Sequence, residues 1–157
     1  MTEKLNLFIG GSSVMSTTKN WIEVLNPATQ EVLCEAPCAT DDEIDSAVAS
    51  AKEAFFSWRE TPPPERSRVM MKYQDLLKIN QDEIAKILSK ENGKTFEDAK
   101  GDLWRGIEVV EQAANITPLL MGETVGNVAR EIDSYSYTQS LGVCLGITPF
   151  NFPAMIP

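Results

Sequence analysis

The feature that most constrains the fold is an apolar run near the end of the chain. Residues Leu141-Gly-Val-Cys-Leu-Gly-Ile-Thr148 carry no charge and show no polar alternation. Such a run is typical of a strand that is buried on both faces, as in a parallel sheet. A parallel strand needs a crossover and a neighbouring strand, which residues 149–157 are too few to supply. We therefore expect part of a larger α/β protein rather than a short protein with an exposed apolar tail, which would be an association liability.

The hydrophobic period divides the preceding residues into two regions. Short alternating segments in residues 5–38 predict strands, with a hairpin that turns at Asn26-Pro-Ala-Thr29. From Thr40 the apolar residues recur at helical spacing, and Thr40 with Glu43 forms a predicted capping box. Three further helices are predicted before Pro118. They begin near the prolines at 62–64, at Asn80 and at Thr95, and Asn80 with Glu83 forms a predicted cap of the second of them.

Two later features complete the pattern. Gly101 and Gly106 lower the intrinsic propensity of the fourth helix, so packing must support it or a neighbour must approach closely. The glycine-containing residues 121–127 predict a turn region, and the alternation from Ile132 to Thr138 predicts a strand with one polar face.

Composition excludes several classes of function. The 14 Lys and Arg residues face 23 Asp and Glu residues, and a net charge of −9 argues against binding nucleic acid or an anionic membrane. The absence of histidine removes Ser–His and Cys–His nucleophile pairs and the commonest metal ligand. Cys34, Cys38 and Cys144 are too few for a secreted disulfide framework, and no second ligand pair completes a zinc site at Cys34-x-x-x-Cys38. We expect no metal, and we expect Cys144 to be a core residue.

The first residues, Met1-Thr-Glu-Lys-Leu-Asn-Leu, resemble neither a signal peptide nor a mitochondrial presequence. No apolar run approaches the length of a transmembrane helix. We therefore expect a cytoplasmic protein.

The residues from Gly142 to Pro157 resemble the strand and loop that carry the oxyanion asparagine of the aldehyde dehydrogenase family. The resemblance covers essentially the whole chain but only the N-terminal third of a typical member. Within the family, Pro149-Phe-Asn-Phe-Pro-Ala-Met-Ile-Pro157 is most similar to the CoA-acylating methylmalonate-semialdehyde dehydrogenases. Five earlier segments are similar in the same order: Phe8-Ile-Gly-Gly11, Val24 to Glu31, Ala47 to Trp58, Glu91-Asn-Gly-Lys-Thr95 and Gly101-Asp-Leu-Trp-Arg-Gly106.

The resemblance implies an architecture. The fold class would be α/β: the N-terminal part of the NAD-binding domain, with short strands, a hairpin and a four-helix segment. Residues 1–129 would belong to that domain and residues 130–140 would start an oligomerisation strand. Residues 141–157 would form the first buried strand of a Rossmann-like sheet and the truncated oxyanion loop.

The resemblance also implies a catalytic role for Asn151. When a thiolate attacks an aldehyde, the carbonyl oxygen becomes an alkoxide, and a neutral amide N–H stabilises that charge. Pro149 and Pro153 restrict the backbone on either side of Asn151. From spacing alone, the alternative is an asparagine that caps a turn between two prolines.

Cofactor and substrate contacts follow from the same resemblance. Ile147, Thr148, Pro149 and Phe150 would lie against NAD, whereas Gly142-x-x-x-Gly146 lacks the dinucleotide fingerprint. Arg105 would hold the substrate carboxylate through its bidentate guanidinium. Because Arg105 lies off the apolar face of its helix, the alternative is a surface ion pair with Asp102 or Glu108.

The implied parent reaction converts a methylmalonate or malonate semialdehyde, CoA and NAD to an acyl-CoA, CO₂ or bicarbonate, and NADH, in valine and inositol catabolism. The family's nucleophilic cysteine and general-base glutamate lie beyond Pro157 in complete members, so the chain alone is expected to be inactive. The family also implies a homo-oligomer, a tetramer. Two alternatives stay open: another aldehyde dehydrogenase, such as a succinate-semialdehyde type, or a non-catalytic helical module that assembles through the strand at 132–138.

Overall fold

The computed structural model describes residues 2–157, and within them the strands pair as three separate antiparallel hairpins. These are β1 with β2, β3 with β4, and β5 with β6. The elements in chain order are β1 (Leu7–Ile9), β2 (Ser12–Val14), β3 (Trp21–Leu25), β4 (Val32–Pro37), α1 (Asp41–Trp58), α2 (Pro63–Ile79), α3 (Gln81–Asn92), α4 (Phe96–Ala114), a short 3₁₀ helix (Thr117–Leu120), β5 (Thr124–Ala129) and β6 (Ile132–Tyr135). The succession of strands, four helices and further strands is the mixed architecture that the sequence predicts.

The predicted hairpin and helix starts are confirmed in detail. The β3–β4 turn is closed by Asn26, whose Oδ1 accepts hydrogen bonds from the backbone N–H groups of Ala28 at 2.9 Å and Thr29 at 3.3 Å. At α1 the capping box is complete, because Thr40 Oγ1 accepts from Glu43 N and Glu43 Oε2 accepts from Thr40 N. These side chains satisfy backbone donors that a helix terminus otherwise leaves unpaired.

The predicted cap at Asn80 is wrong. Asn80 makes no side-chain cap to α3; its Nδ2 instead donates to the carbonyl oxygen of Leu76 at 2.8 Å. The cause is the tightness of the α2–α3 junction, where Asn80 is both the last cap of one helix and the first cap of the next. Its side chain satisfies an orphan carbonyl at the end of α2 rather than an orphan N–H of α3.

The core lies where α4 packs against α2 and α3. Its buried apolar side chains are Ala85, Leu88, Ala99, Leu103, Ile107 and Ala114. The apolar stripe of α1 is not part of this core, since α1 has no buried residue and Ile44 is 50% exposed. Its helical periodicity predicts the helix correctly, but the described residues provide no surface that covers the stripe.

Three predictions for the last third of the chain are wrong. The expected turn region at 121–127 contains most of β5, which pairs with β6. The expected buried strand at 141–148 has no strand conformation, and the Ile147 side chain is 90% exposed. Cys144, expected in the core, is also exposed. The physical reason is that a parallel strand is stabilised by hydrogen bonds to neighbouring strands, and no strand of the described residues lies beside this segment.

Candidate functional site

The segment that contains Asn151 lies across the junction of α3 and α4, and three hydrogen bonds hold its backbone there. Asn92 Nδ2 donates to the carbonyl oxygen of Phe150 at 3.2 Å, and Lys94 Nζ donates to that of Asn151 at 2.7 Å. Met155 N donates to Asp102 Oδ1 at 2.9 Å. We refer to residues 150–155 as the Asn151 loop. Its attachment explains how a loop without regular structure keeps a defined position.

Apolar contact adds to these hydrogen bonds. Ala154 packs against the cluster of Ala85, Leu88 and Ala99 between α3 and α4. Gly106 on α4 permits this approach, because a Cβ atom there would lie 3.0 Å from the Ala154 carbonyl oxygen. The close approach that the glycine predicts is therefore between a helix and the Asn151 loop.

Asn151 itself is exposed, and its side-chain amide makes no hydrogen bond within residues 2–157. A turn-capping asparagine would accept a hydrogen bond from a nearby backbone N–H, and no such bond is present in this part of the chain. Its backbone carbonyl is held by Lys94 while its amide N–H donors remain available. An exposed amide on a held backbone can donate a hydrogen bond to a bound group.

Lys94 and Asp102 are the residues that the sequence interpretation missed as part of this site. Their ion pair has an Nζ–Oδ2 distance of 2.7 Å, and the Asp102 side chain is 1% exposed. The sequence suggests Asp102 only as a possible partner of Arg105, but Arg105 pairs with Glu108 instead. The sequence did contain an indication of this pair, because Asp102 lies on the same buried stripe of α4 as Ala99, Leu103 and Gly106. A carboxylate on a buried stripe requires a cation and hydrogen-bond donors.

Arg105 lies at the rim of an open groove of about 790 Å³ between α4, the 3₁₀ helix and the Asn151 loop. Its side chain is 69% exposed, and Nη1 donates to Glu108 Oε2 at 2.9 Å. The surface ion pair that the sequence allows is thus present, with Glu108. Besides Arg105 and Glu108, the groove is lined by Val109, Gln112, Ala113, Ile116, Leu119, Phe152 and Met155. The structure therefore brings Arg105 and the Asn151 loop to one groove.

Three of the four residues expected to contact a dinucleotide, Ile147, Thr148 and Pro149, directly precede the Asn151 loop, and the fourth, Phe150, is its first residue. Ile147 and Phe150 expose 90% and 88% of their surface. Within the described part of the chain, no hydrogen bond uses the backbone groups of residues 147–149. Exposed apolar side chains beside unpaired backbone donors and acceptors fit a ligand with flat rings and ribose hydroxyls. These residues therefore fit part of a dinucleotide site.

The environment of Cys34 does not activate its thiol for nucleophilic attack. Burial raises the pKa of the Cys34 thiol above its ordinary value, and the negative charges of Glu91 and Glu3 raise it further. A raised pKa lowers the fraction of the reactive thiolate. The Sγ atom of the exposed Cys144 lies 3.7 Å from the carbonyl oxygen of Gly142. No group of three or more potential metal ligands is assembled among residues 2–157.

None of the helices between residues 2 and 157 has the length and hydropathy needed to cross a bilayer.

Comparison with known proteins gives the chain a family. The model of the aldehyde dehydrogenase family matches residues 14–157. A Dictyostelium discoideum protein assigned as a mitochondrial, acylating methylmalonate-semialdehyde/malonate-semialdehyde dehydrogenase is 55% identical over 151 residues, which are 96% of this chain and 29% of that protein. The human mitochondrial enzyme of the same description is 51% identical over 153 residues, 98% of this chain and 29% of its own length.

The fold agrees with this relationship. A crystal structure from Sinorhizobium meliloti, of a protein assigned to the methylmalonate-semialdehyde dehydrogenases and complexed with NAD, superposes with a TM-score of 0.94 at 44% identity. The match covers 99% of this chain and 32% of that one, so the chain spans about three tenths of the length of its relatives. With its motifs, its fold and its sequence identity in agreement, the chain belongs to the aldehyde dehydrogenase family.

Proposed function

We propose that the chain forms the oxyanion-loop segment of an NAD-dependent, acylating methylmalonate/malonate-semialdehyde dehydrogenase. The observation that carries this is Asn151, whose backbone carbonyl is held by Lys94 while its side-chain amide stays free. About half of the residues are identical to those of relatives with that description. The proposed overall reaction converts semialdehyde, CoA and NAD to acyl-CoA, CO₂ or bicarbonate, and NADH, as a step of valine and inositol catabolism.

In this proposal Asn151 donates an N–H to the aldehyde oxygen as that oxygen gains negative charge. A neutral amide supplies this stabilisation without taking up or losing a proton. The attacking thiolate is proposed to be the family's nucleophilic cysteine, which lies outside the residues that correspond to this chain. NAD, when bound, supplies the hydride acceptor. Ile147, Thr148, Pro149 and Phe150 would hold it in part, through exposed side chains and the unpaired backbone groups of residues 147–149.

Arg105 is proposed to bind the carboxylate of the semialdehyde. Its present partner, Glu108, forms an exposed i,i+3 pair, and such pairs contribute little to stability. Exchange of one carboxylate for another at the guanidinium is therefore inexpensive, and the bidentate geometry suits a substrate carboxylate. The groove beside Arg105, lined by Phe152 and Met155, would take the apolar part of the substrate.

A chimera tests the proposal. This chain replaces the matching segment of the human relative, and the purified enzyme is assayed with methylmalonate semialdehyde, with and without NAD and CoA. We expect turnover that requires both. A folded chimera that instead oxidises succinate semialdehyde, without need of CoA, would assign the segment to the alternative branch. The 157-residue chain alone is expected to show no turnover, and activity above background would contradict the proposed division of the site.

Assembly is proposed as a homo-oligomer, a tetramer as in the family. The β5–β6 hairpin supports this, since Val125, Val128, Ile132 and Tyr135 are each half exposed or more and a two-stranded ribbon leaves strand edges open for pairing. Light scattering of the chain should show association that grows with concentration; a clean monomer at high concentration would count against it. The cytoplasmic location and the domain division at residues 129 and 140 remain predictions; the human and Dictyostelium relatives are described as mitochondrial.

A further inference from the structure

We infer that Lys94 and Asp102 are positioning residues, which fix the backbone of the Asn151 loop and so set the direction of the Asn151 amide. The inference rests on the proposed role of Asn151 as oxyanion donor. It adds two charged residues that hold the loop at two peptide groups, the Asn151 carbonyl and the Met155 N–H.

The geometry of the pair accounts for both attachments. Asp102 uses one oxygen for each partner: Oδ2 accepts from Lys94 Nζ at 2.7 Å, and Oδ1 accepts from Met155 N at 2.9 Å. Lys94 Nζ also donates to the Asn151 carbonyl oxygen at 2.7 Å and lies 4.7 Å from the centre of the Phe152 ring. One ion pair thus holds the loop before and after Pro153.

The burial of Asp102 makes this arrangement hard to rearrange. A carboxylate removed from water is stable only while its charge is paired and its oxygens accept hydrogen bonds. Here those partners are Lys94 and the Met155 amide, so releasing the loop leaves one carboxylate oxygen without its donor. Hydrogen bonds to a charged group are also roughly twice as strong as neutral ones.

A second ion pair near the α3–α4 junction, Lys100 with Asp82, provides a matched comparison. Lys100 Nζ lies 2.9 Å from Asp82 Oδ1, but the Asp82 side chain is 66% exposed and the pair makes no hydrogen bond to the Asn151 loop. The Lys100–Asp82 pair joins α4 to α3, and the Lys94–Asp102 pair joins α4 to the linker that follows α3. Only the Lys94–Asp102 pair reaches residues 151 and 155, so only that pair is expected to affect the direction of the Asn151 side chain.

Position matters because an oxyanion donor acts through preorganisation. A donor that is already aimed at the developing charge needs no reorganisation during the reaction, and a displacement of about 1 Å lowers rates strongly. Pro149 and Pro153 restrict their own φ angles but do not attach the loop to the helices. The Lys94–Asp102 pair provides that attachment.

NMR spectroscopy of the ¹⁵N-labelled 157-residue chain tests the inference without any need for catalysis. The variants are Asp102→Asn, with Asp82→Asn as its control, and Lys94→Gln, with Lys94→Arg as the conservative variant. Hydrogen exchange is measured at the Met155 amide and, as an internal reference, at the amide of the buried Ile107. Relaxation of the Asn151 side-chain NH₂ signals reports its mobility.

We expect Asp102→Asn to speed Met155 exchange by about tenfold, because the neutral amide oxygen accepts a weaker hydrogen bond and no longer pairs with Lys94, with Ile107 unchanged. The Asn151 NH₂ group should become more mobile than in the original chain in Asp102→Asn and Lys94→Gln, and should keep its original mobility in Asp82→Asn and Lys94→Arg. If Asp102→Asn also speeds Ile107 exchange, the variant is unfolding globally. The inference is then tested with Lys94→Gln alone, by Asn151 NH₂ mobility and Met155 exchange with Ile107 exchange unchanged. Unchanged Asn151 mobility in Lys94→Gln, or an equal effect of Asp82→Asn, would overturn the inference.

These outcomes are separate from those that test the proposed function. If Asn151→Ala leaves the chimera fully active, the oxyanion role fails, while the NMR results still show whether the pair orders the loop.

Discussion

Gly106 of α4 and Ala154 of the Asn151 loop approach each other so closely that a Cβ atom at position 106 would lie 3.0 Å from the Ala154 carbonyl oxygen. It would also lie 3.2 Å from the Met155 Cα. Gly101 lies five positions earlier on the same helix, and no atom lies within 4 Å of its hypothetical Cβ. The two glycines therefore have different roles, although both appear in the sequence as weak points of a helix.

Alanine substitutions at these glycines should change stability in opposite directions. Gly101→Ala removes an intrinsic helix penalty at an open position and should stabilise the chain by about 0.5–1 kcal/mol. Gly106→Ala gains the same propensity but crowds the loop backbone, and overpacking costs about 1–3 kcal/mol. We expect a net loss of stability and faster exchange of the Met155 amide. Urea denaturation measures the first effect; equal stabilisation by both variants would contradict the close contact.

The carboxylate of Glu43 should make stability depend on pH in the acid range. Hydrogen bonds from the backbone of Thr40 and Thr17, then from the Ser16 hydroxyl, lower the pKa of Glu43 from 4.5 to about 2. Because the folded-state pKa is below the unfolded one, the stabilisation is fully present above about pH 4.5 and is lost as the pH falls towards 2. Glu43→Gln should therefore lower Tm near pH 7, with a difference that shrinks on acidification.

The control for this prediction is Glu53→Gln, on the exposed side of the same helix. No side-chain hydrogen bond of Glu53 is present among the described residues, so its removal should leave the pH dependence of Tm unchanged. A pH-independent difference between the Glu43 variant and the original chain would show that the carboxylate is not the group responsible.

Removal of the Asn151 amide should lower the turnover of the chimera without preventing substrate binding. Loss of one oxyanion donor typically lowers kcat by about 10²–10³, and we expect Asn151→Ala to show a loss of that size with little change in KM. Asn151→Asp should be at least as impaired, since a negative charge would then face the developing alkoxide. Steady-state kinetics measures both; a change in KM alone would argue for a binding role instead.

Arg105 should determine the preference for a carboxylate-bearing aldehyde. Hydrogen bonds to charged groups contribute about 1.5–3 kcal/mol, so Arg105→Leu should raise KM for methylmalonate semialdehyde by about ten- to a hundredfold. Propionaldehyde has no carboxylate, so the Arg105→Leu chimera and the original chimera should oxidise it with the same kinetic constants. Arg68→Leu, at an exposed position on α2, is the control. Equal losses with both aldehydes would show that Arg105 is structural.

Local chemistry explains why much of the helical part could be predicted. The Thr40–Glu43 box, the Thr95 cap and Gly93 at φ 79° act between residues a few positions apart, so their sequence spacing is sufficient to place helix ends. Asn80 shows the limit of that approach: its side chain had two helices to cap, and the geometry of the junction selected Leu76 of α2.

The residues of the candidate site also fall into those that the sequence identifies and those that it does not. Asn151, Arg105 and residues 147–150 were identified from their similarity to family motifs, which requires no knowledge of contacts. Lys94 was not identified, because its two partners, Asp102 and Asn151, lie 8 and 57 positions away along the chain. The exposed state of residues 141–148 was also missed, since apolar composition shows that a segment favours burial but not whether a neighbouring strand is present.

The sequence by itself thus determined the family, the helix boundaries set by local caps, and the identity of the residues that carry the proposed chemistry. Only the tertiary structure decided which groups hold the Asn151 loop and that Gly106 faces Ala154. The physical reason is range: caps and periodicity depend on backbone geometry over a few residues, whereas the pairing of a buried carboxylate with Lys94 and Met155 depends on how the helices and the loop pack.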